Sequence, residues 1–403
     1  IPWSDWSSDV CSSDLMENMQ YREYGKQGFK VSAFGMGCMR LPSSVDENGN
    51  KTVHREEAIK MIRYAADHGV NYFDSARMYF GGDCDAVLGE ALSGGYREKV
   101  KVVSKIPPRF VNNEEEFISV LDDMLKKLQT DYLDVLLAHD MNREAWERFQ
   151  KMGMYQWMEN AKQAGKIKAI GFSFHDDVEL FREMVDAYPW AMAQIQMNIL
   201  DVNYQATVEG MKYAASKGLA IVVMEPLRGG GLANAPASVQ KIYDEYPEKR
   251  SAVEWALRFV YNFPEVTCVL SGVSTMEQLQ DNIRIFEDAQ PDVMTKQDLA
   301  MIDSVREAYN KLIKVPCTGC SYCVPCPKGI NIPRIFYLYN SGSMYGDSAM
   351  YKEMQRLYGF VQAANADATQ CVGCGACEKK CPQHIHIIDT LPKAHETLIN
   401  AGK

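Results

Sequence analysis

The chain has 403 residues, of which 46% are hydrophobic and 24% are charged. This composition is typical of a globular protein, and the length is enough for one large domain and a small one. The formal net charge of -10, with no long basic run, argues against binding to nucleic acid or to anionic membrane surfaces, and no segment has the uninterrupted apolar length of a membrane helix.

The first fifteen residues, I-P-W-S-D-W-S-S-D-V-C-S-S-D-L, repeat Ser-Asp and follow neither a helical nor a strand period. We expect residues 1–15 to be adapter-derived sequence or a disordered tail ahead of a start at Met16, with no part in the fold. The sequence shows no secretory signal, so we expect reduced thiols and a cytoplasmic protein.

After Met16 the sequence shows turn and helix-end signals at regular intervals. Gly25 and Gly28 occupy turn positions in a hairpin-like stretch over residues 21–32. The first helix is predicted from Arg55 to His68, where Gly69 ends it.

A second amphipathic helix is predicted from Asn113 to Leu128. Either Asn112 or Asn113 can cap its start, because both side chains can accept a hydrogen bond from the first turn. Gly165 and Gly218 are predicted to end two further helices directly before strands.

Eight short apolar segments are the candidate strands, and each is followed by a helix-like sequence. They begin at or near Val31, Asn71, Lys101, Val135, Ala169, Ala191, Ala220 and Val266. Eight parallel strands with helical crossovers close into a (β/α)8 TIM barrel, an α/β fold of about 250 residues. The competing architecture, an open doubly wound sheet, would place a glycine-rich dinucleotide turn after the first strand, and the G-M-G-C-M-R found there has no third glycine.

Two cysteine runs near the end of the chain have the spacing of iron–sulfur ligands. They read C-T-G-C-S-Y-C-V-P-C-P and C-V-G-C-G-A-C-E-K-K-C-P. Their cysteines are Cys317, Cys320, Cys323 and Cys326 in the first run, and Cys371, Cys374, Cys377 and Cys381 in the second. Cysteines at every third residue can surround one face of a cluster, and the last one, before proline, usually binds the neighbouring cluster. We therefore predict two 4Fe–4S clusters and one-electron chemistry.

Structural zinc is the alternative, since CxxC pairs also build four-thiolate zinc sites. Zinc needs only two such pairs and has no use for a third cysteine at the same spacing or for Cys-Pro. The second run fits the ferredoxin spacing in full, whereas the first is one residue short before Cys326. The assignment of Cys326 to one of the two clusters therefore stays open.

These patterns predict a barrel over residues 16–312 and a small, mainly α-helical, ferredoxin-like domain over residues 313–403. The linker lies between the last predicted barrel helix and Cys317. The C-terminal segment is too short and too polar for a large core, so we expect metal ligation to hold it together.

Four polar residues stand at or near the carboxyl ends of three predicted strands, where barrel enzymes keep their active sites. Asp74 ends the second strand and is followed by Tyr79, Lys105 ends the third, and His139 ends the fourth. In this order and spacing they match the catalytic tetrad of the aldo-keto reductases, and T-D-Y-L-D-V-L-L-A-H is similar to the family's fourth-strand signature. The resemblance covers nearly all of residues 16–312. It implies an NAD(P)-dependent oxidoreductase that reduces an aldehyde or ketone, a small-molecule carbonyl substrate, by hydride transfer.

The chemistry of carbonyl reduction agrees with these residue types. A proton donor is needed at the developing oxyanion, and a free phenol, with a pKa of about 10, donates poorly near neutrality. A neighbouring ammonium lowers that pKa, so Lys105 would activate Tyr79 as the general acid. Asp74 would keep Lys105 charged and fixed, and His139 would orient the substrate oxygen.

The resemblance also implies the residues around the nicotinamide end of the cofactor, NADP or NAD. Besides Asp74 they are Gly37, Cys38 and Met39 under the ribose, Ser173 and Gln194 at the carboxamide, and Met224 against the ring. Phe174 stands where the family has Asn, and His175 could partly replace that contact. Met224 stands where the family has a stacking Tyr, and its thioether still offers a polarizable apolar face.

The phosphate end of the cofactor is implied in the same way. The corresponding residues are Pro226, Leu227, Arg228 and Gly229 at the pyrophosphate, and Gly272, Ser274, Gln278 and Asn282 at the adenosine phosphate. Members that prefer NADP often carry Lys and Arg at the positions of Gly272 and Gln278. The choice between NADP and NAD therefore stays open, with Arg228 able to compensate.

The two redox modules differ in the number of electrons that they transfer. A nicotinamide moves two electrons as hydride and a cluster takes one, and the sequence has no flavin motif to mediate between them. An alternative is a nicotinamide-binding electron-transfer or redox-sensing protein whose clusters exchange electrons with a redox partner protein. The complete set of Asp74, Tyr79, Lys105 and His139 favours an enzyme.

Overall fold

The computed structural model describes residues 19–45, 51–317, 323–345, 349–381 and 383–400, so the segment 1–15 and Cys320 lie outside the described residues. The described chain forms two compact units. The first contains the residues up to Asn198 together with Gln205–Pro226 and Leu257–Val293, and the second contains Ile199–Tyr204, Leu227–Ala256 and the residues from Met294 onward.

Twelve strands are found among the described residues. They are β1 (Tyr21–Glu23), β2 (Lys30–Ser32), β3 (Phe34–Gly37), β4 (Ser43–Val45), β5 (Lys51–Val53), β6 (Tyr72–Asp74), β7 (Lys101–Ile106), β8 (Leu133–Met141), β9 (Ile167–Phe174), β10 (Met192–Gln196), β11 (Ala220–Met224) and β12 (Val266–Ser271).

The α-helices alternate with the strands through most of the chain and follow one another without strands at its end. They are α1 (Arg55–Asp67), α2 (Asp83–Ala91), α3 (Glu114–Lys127), α4 (Arg143–Met152), α5 (Met154–Gln163), α6 (Val178–Ala187), α7 (Thr207–Ser216), α8 (Ala237–Glu245), α9 (Ala252–Tyr261), α10 (Met276–Asp288), α11 (Lys296–Leu312), α12 (Ile332–Tyr345), α13 (Ala349–Ala363) and α14 (Ile387–Asn400).

Eight strands of the first unit close into a barrel in the order β3-β6-β7-β8-β9-β10-β11-β12, and all neighbouring pairs are parallel. The predicted TIM barrel is therefore confirmed, and the open doubly wound sheet is excluded. The predicted first strand differs in one respect. Ser32 ends β2, and the barrel strand β3 begins only at Phe34; the hydroxyl of Ser32 donates to the carbonyl of Phe34 at 2.6 Å across this break.

The hairpin of β1 and β2 covers the end of the barrel where the strands begin. Tyr24 is fully buried and packs with Val31 into the apolar cluster of the barrel interior. The turn of this hairpin includes Gly25, which has a φ of +53°. A Cβ on Gly25 would lie 2.7 Å from the carbonyl oxygen of Gly218, two residues before β11. Only glycine tolerates both the backbone angle and this approach. The opposite end of the barrel, where the strands finish, is left for polar side chains.

The predicted helices begin and end close to their signals. The side chain of Asn113, and not of Asn112, caps α3 by accepting from the backbone N–H of Glu116 at 2.8 Å. The helix α1 runs from Arg55 to Asp67, one residue short of the predicted end. Side-chain capping of the first-turn amides is the physical reason that such boundaries can be found in a sequence.

The second unit has its own apolar core, formed mainly by α12, α13 and α14, with Ile335, Phe336 and Leu391 fully buried. Asn340 of α12 anchors the segment after α11, because its side chain accepts from the N–H of Val315 at 2.9 Å and donates to the carbonyl of Val315 at 2.7 Å. Among the described residues, none of the helices combines the length and apolar character that crossing a membrane requires.

Candidate functional site

Three neighbouring barrel strands bring the predicted tetrad together. Asp74 is the last residue of β6, Lys105 lies near the end of β7, and His139 lies near the end of β8. Tyr79 begins a short 3-10 turn after β6, and its N–H donates to the carbonyl of Ala76 at 2.9 Å. Because parallel strands deliver their carboxyl ends to the same face, residues distant in sequence meet there.

The ammonium of Lys105 is the centre of this arrangement. It forms an ion pair with the carboxylate of Asp74, donates to the carbonyl of Ser75 at 2.7 Å, and lies 3.4 Å from the hydroxyl of Tyr79. Lys105 is only 1% exposed. Burial lowers its pKa, but the Asp74 carboxylate and the Tyr79 phenol outweigh burial, so the pKa of Lys105 is raised and the side chain is charged.

The Tyr79 phenol is subject to opposing influences. Burial raises its pKa, while the charge of Lys105 lowers it, and the pKa is raised overall. The lowered pKa expected from the neighbouring Lys105 ammonium is therefore wrong for the phenol in this site. Burial is the larger influence because it disfavours the phenolate by desolvation. A raised pKa keeps the phenol protonated at neutral pH, which is the form that a proton donor requires.

His139 completes the group as a neutral imidazole. Its ring meets that of Tyr79 edge to face, with 6.0 Å between the ring centroids. Burial and the charge of Lys105 hold the pKa of His139 well below its usual value. The Nδ1 atom is buried and has no hydrogen-bond partner among the described residues.

The residues predicted at the carboxamide lie on adjacent strands. Ser173 of β9 and Gln194 of β10 are paired in register, and both are buried. The Oε1 atom of Gln194 has no hydrogen-bond partner among the described residues, and a buried amide oxygen in this state fits an amide N–H donor such as a carboxamide. The Ser173 hydroxyl accepts from the N–H of Asp140 at 3.0 Å.

Phe174 and Met224, the two residues that differ from the family pattern, both pack against apolar side chains of the barrel unit. Phe174 is fully buried and packs against the ring of Phe181, with 5.0 Å between centroids. His175 follows it, and its N–H donates to the carbonyl of Met141 at 2.9 Å. Met224, at the end of β11, packs against the apolar cluster of the barrel interior.

The predicted ribose platform lies beside the tetrad. Gly37 ends β3 and is paired in register with Asp74. Cys38 is fully buried and its carbonyl accepts from the thiol of Cys84 at 3.1 Å, whereas Met39 is 57% exposed. Gly37 of the predicted platform and Asp74 of the predicted tetrad therefore lie on one strand pair.

The segment predicted at the adenosine phosphate makes contacts of its own. The Gln278 side chain accepts from the N–H of Ser274 at 2.9 Å, and Asn282, which is 3% exposed, donates to the hydroxyl of Ser271 at 2.9 Å. Gly272 lies against Arg40, since a Cβ on Gly272 would be 3.1 Å from the Cβ of Arg40. Arg40, an exposed cation directly after Met39, was not predicted as a site residue, and its position after the predicted platform was the signal that could have found it.

The predicted pyrophosphate loop belongs to both units, with Pro226 in the first and the residues from Leu227 in the second. Within the second unit, Arg228 lies 3.6 Å from the carboxylate of Asp201 and 3.9 Å from the sulfur of Met344. Gly229 has a positive φ of 68° in the 3-10 turn that follows β11. In the second unit, Arg228 is thus held by an acid and by a residue of α12.

The cysteine runs meet in a cavity of the second unit. Cys326 of the first run lines it together with Cys371, Cys374 and Cys377 of the second, and Ile332 and Leu391 make it apolar. Cys326, Cys371 and Cys377 also pack against the apolar core. Four thiols around one cavity fit a four-iron cluster.

Comparison with known proteins identifies both parts of the chain. The model of the aldo/keto reductase family matches residues 33–307, and the model of the 4Fe-4S dicluster domain matches residues 316–386. Similar curated proteins include L-galactose dehydrogenase of Arabidopsis thaliana, 24% identical over 74% of this chain and 97% of that protein, and pyridoxal 4-dehydrogenase of Microbacterium luteolum, 24% identical over 67% and 94%.

Solved structures share the barrel. The holo form of aldo-keto reductase AKR11C1 from Bacillus halodurans is 23% identical with a TM-score of 0.58, covering 72% of this chain and 97% of its own. An aldo/keto reductase from Klebsiella pneumoniae in complex with NADP and acetate is 21% identical with a TM-score of 0.57, covering 72% of this chain and 95% of its own. At this identity the likeness shows the fold.

Proposed function

The chain belongs to the aldo/keto reductase family and carries a 4Fe-4S dicluster domain, and from this premise we propose that it reduces an aldehyde or ketone with Tyr79 as the general acid. Membership makes it an NAD(P)-dependent oxidoreductase. The observation that carries the proposal is the position of the Lys105 ammonium between the carboxylate of Asp74 and the hydroxyl of Tyr79, 3.4 Å from the latter.

The reduced nicotinamide, when bound, supplies a hydride to the carbonyl carbon. Tyr79 then donates its hydroxyl proton to the carbonyl oxygen, which becomes the hydroxyl of the alcohol product. The resulting phenolate is stabilised by the Lys105 ammonium and regains a proton from solvent. The raised pKa of Tyr79 is compatible with its role as general acid. The phenol is fully protonated before the reaction, and Lys105 stabilises the negative charge that develops on the phenol oxygen during it.

His139 and Asp74 position the reacting groups. The neutral imidazole of His139 can donate an N–H to the carbonyl oxygen without competing with Tyr79 for a proton, because its low pKa keeps it uncharged. The buried carboxylate of Asp74 holds Lys105 in place and keeps it protonated. Neither residue has to change its protonation state during turnover.

We propose that the cofactor lies along the carboxyl ends of the strands, with its carboxamide at Ser173 and Gln194. The unpartnered Oε1 of Gln194 supports this placement. Gly37, Cys38, Met39 and Met224 belong to the same proposed site. The phosphate contacts proposed from the resemblance are Pro226, Leu227, Arg228, Gly229, Gly272, Ser274, Gln278 and Asn282.

For the clusters we propose two ligand sets that cross between the runs. Cys326 would join Cys371, Cys374 and Cys377, which is supported by their common cavity. The other set would be Cys317, Cys320, Cys323 and Cys381. Each cluster accepts or donates one electron when present.

The experiment is a comparison of the wild type with Tyr79→Phe, after anaerobic purification, over a panel of aldehydes and ketones with NADPH and NADH. We expect the wild type to reduce members of the panel and Tyr79→Phe to lose that activity while it binds the cofactor almost unchanged. Tyr213→Phe, on the exposed face of α7, is the matched control and keeps full activity. Equal turnover by Tyr79→Phe, or a wild type inactive towards the whole panel, would contradict the proposal.

The dicluster domain favours a second candidate, a nicotinamide-binding electron-transfer or redox-sensing protein. In that case the cofactor binds and the clusters exchange electrons with a partner protein, but no carbonyl is reduced. A Tyr79→Phe variant that retained full biological activity would support this candidate over the enzyme.

A further inference from the structure

One surface of the second unit combines exposed cluster-loop residues with unopposed positive charge. Val372 is 63% exposed, although it also lines the cavity shared by the four cysteines. Cys374 is exposed, whereas the other described cysteines of the two runs are partly buried. Gly373 and Gly375 have open space where a side chain would stand. Nothing among the described residues therefore covers this loop.

Three lysines adjoin the loop. Lys328 lines the same cavity, and Lys379 and Lys380 belong to the 3-10 turn that follows Cys377. All three are exposed, and no ion pair joins any of them to a carboxylate of the described residues. The acid of this turn, Glu378, faces the other way, since its side chain accepts from the N–H of Ile388 at 2.8 Å.

The charge of this surface contrasts with that of the protein. The whole chain has a formal net charge of -10, whereas residues 316–403 contain eight Lys and Arg against six Asp and Glu, a net of +2. Because the chain as a whole is net negative and residues 316–403 are net positive, an acidic partner is favoured at this region over the average surface of the protein. Such complementarity orients a diffusing partner and raises its association rate.

We propose that Val372, Gly373 and Cys374, together with Lys328, Lys379 and Lys380, form a docking surface for an acidic one-electron carrier protein. The exposed valine supplies an apolar centre and the lysines supply a charged rim, which is the anatomy of a transient electron-transfer contact. The open glycine loop lets the carrier approach the cluster closely. The step is a single electron transfer in which the carrier is oxidised by one electron and the cluster is reduced by one, with no bond made and no proton moved.

The test uses the full chain, purified anaerobically, with a purified acidic [2Fe–2S] ferredoxin and a purified acidic flavodoxin as probes. Binding is measured by surface plasmon resonance and cluster reduction by stopped-flow spectroscopy, each from about 20 mM to about 300 mM salt. We expect at least one carrier to bind and to reduce the clusters, with an affinity that falls steeply as salt rises.

Charge reversal identifies the surface. Lys379→Glu combined with Lys380→Glu, and Lys328→Glu alone, should lower the association rate by about tenfold or more with unchanged iron content. Lys352→Glu, an equal charge change at an exposed site on α13, is the matched control and should change it little. Val372→Ala should weaken binding without altering the dependence on salt.

Three outcomes would overturn the proposal. The first is an association rate that falls as much in Lys352→Glu as in the surface variants. The second is the absence of both binding and cluster reduction with either carrier. The third is sedimentation data showing that this surface joins two copies of the chain. Carbonyl reduction with NADPH is measured in parallel. Because none of these substitutions touches the barrel residues, a failure of carbonyl reduction would be a separate result.

Discussion

The ammonium of Lys105 lies 3.4 Å from the phenolic oxygen of Tyr79, although 26 positions separate the two residues in the chain. The contact joins the end of a barrel strand to a turn that follows its neighbour, and the carboxylate of Asp74 holds the lysine from the other side. This relationship makes the site sensitive to single substitutions in ways that separate chemistry from stability.

Removing the lysine should abolish turnover and also destabilise the barrel. Lys105→Met leaves Asp74 buried without its cation, so we expect turnover to fall by about 10²–10⁴-fold and stability to fall by about 3–5 kcal/mol. The double variant Asp74→Asn/Lys105→Met removes both charges and should regain much of that stability while it stays inactive. Steady-state kinetics and thermal unfolding of the three proteins check this. A double variant as unstable as the single one would contradict the ion-pair account.

His139 should make the barrel less stable in mild acid. Its pKa is depressed in the folded protein, so below about pH 6.5 the unfolded chain binds a proton that the folded chain does not. Stability should therefore fall as the pH drops below that value, by about 1.4 kcal/mol per pH unit at most from this group.

The measurement is unfolding by urea between about pH 5 and pH 8. His139→Gln should flatten the dependence without abolishing it, because the pKa of the partly buried His175 is also lowered by desolvation. His54→Gln, at a half-exposed surface position, is the matched control for the loss of one histidine. Identical pH profiles for the wild type and His139→Gln would show that His139 is not the neutral group inferred here.

Gln194→Leu tests the proposed carboxamide contact. The change keeps the side chain's bulk and removes its amide, so it should cost about one hydrogen bond and weaken NADPH binding by about tenfold. The melting temperature of the cofactor-free protein should change little, because removing the unpartnered buried oxygen is offset by losing the hydrogen bond between the Gln194 side chain and the Asp74 carboxylate. Fluorescence titration measures the cofactor affinity, and thermal unfolding measures the melting temperature. An unaltered cofactor affinity would show that Gln194 does not bind the carboxamide.

Pairs of cysteine substitutions test the crossed ligand sets. The wild type should contain about eight iron atoms per chain, and Cys374→Ser alone should lose about half of them. Cys326→Ser/Cys374→Ser should lose no more than Cys374→Ser, because both thiols belong to one proposed cluster. Cys323→Ser/Cys374→Ser should lose nearly all the iron. Iron and acid-labile sulfide are counted after anaerobic purification, and the opposite ranking of the two double variants would reassign Cys326.

Much of the fold could be predicted because the relevant signals are local. Apolar segments ending in Asp74 and near Lys105 identified barrel strands, and the pair Asn112 and Asn113 marked the start of α3, although only the structure shows that Asn113 is the cap. The break between Ser32 and Phe34 could not be predicted, since no glycine or proline marks residues 32–34 in the sequence. The hydrophobic periodicity of a segment indicates which face of a strand is buried, but it does not indicate at which residue the backbone hydrogen bonds of the sheet end.

Two features of the site, the pKa of Tyr79 and the contact between Arg40 and Gly272, could not be predicted from the sequence for a different reason. Charge types are visible in a sequence, but desolvation is a property of the assembled structure, and so the raised pKa of Tyr79 was not foreseen. The contact between Arg40 and Gly272 joins the first barrel strand to the segment after the last, and no local pattern reports it.

Residue type and spacing are enough to specify the two cysteine runs and the four polar residues near the strand ends, and with them the kind of chemistry to expect. How these groups act on one another follows from the folded arrangement: which cysteines share a cavity, which buried amide oxygen has no partner among the described residues, and whether burial outweighs the charge of Lys105. Hydrogen bonding and electrostatics depend on distance and on the exclusion of water, and the closed barrel and the helical core establish both.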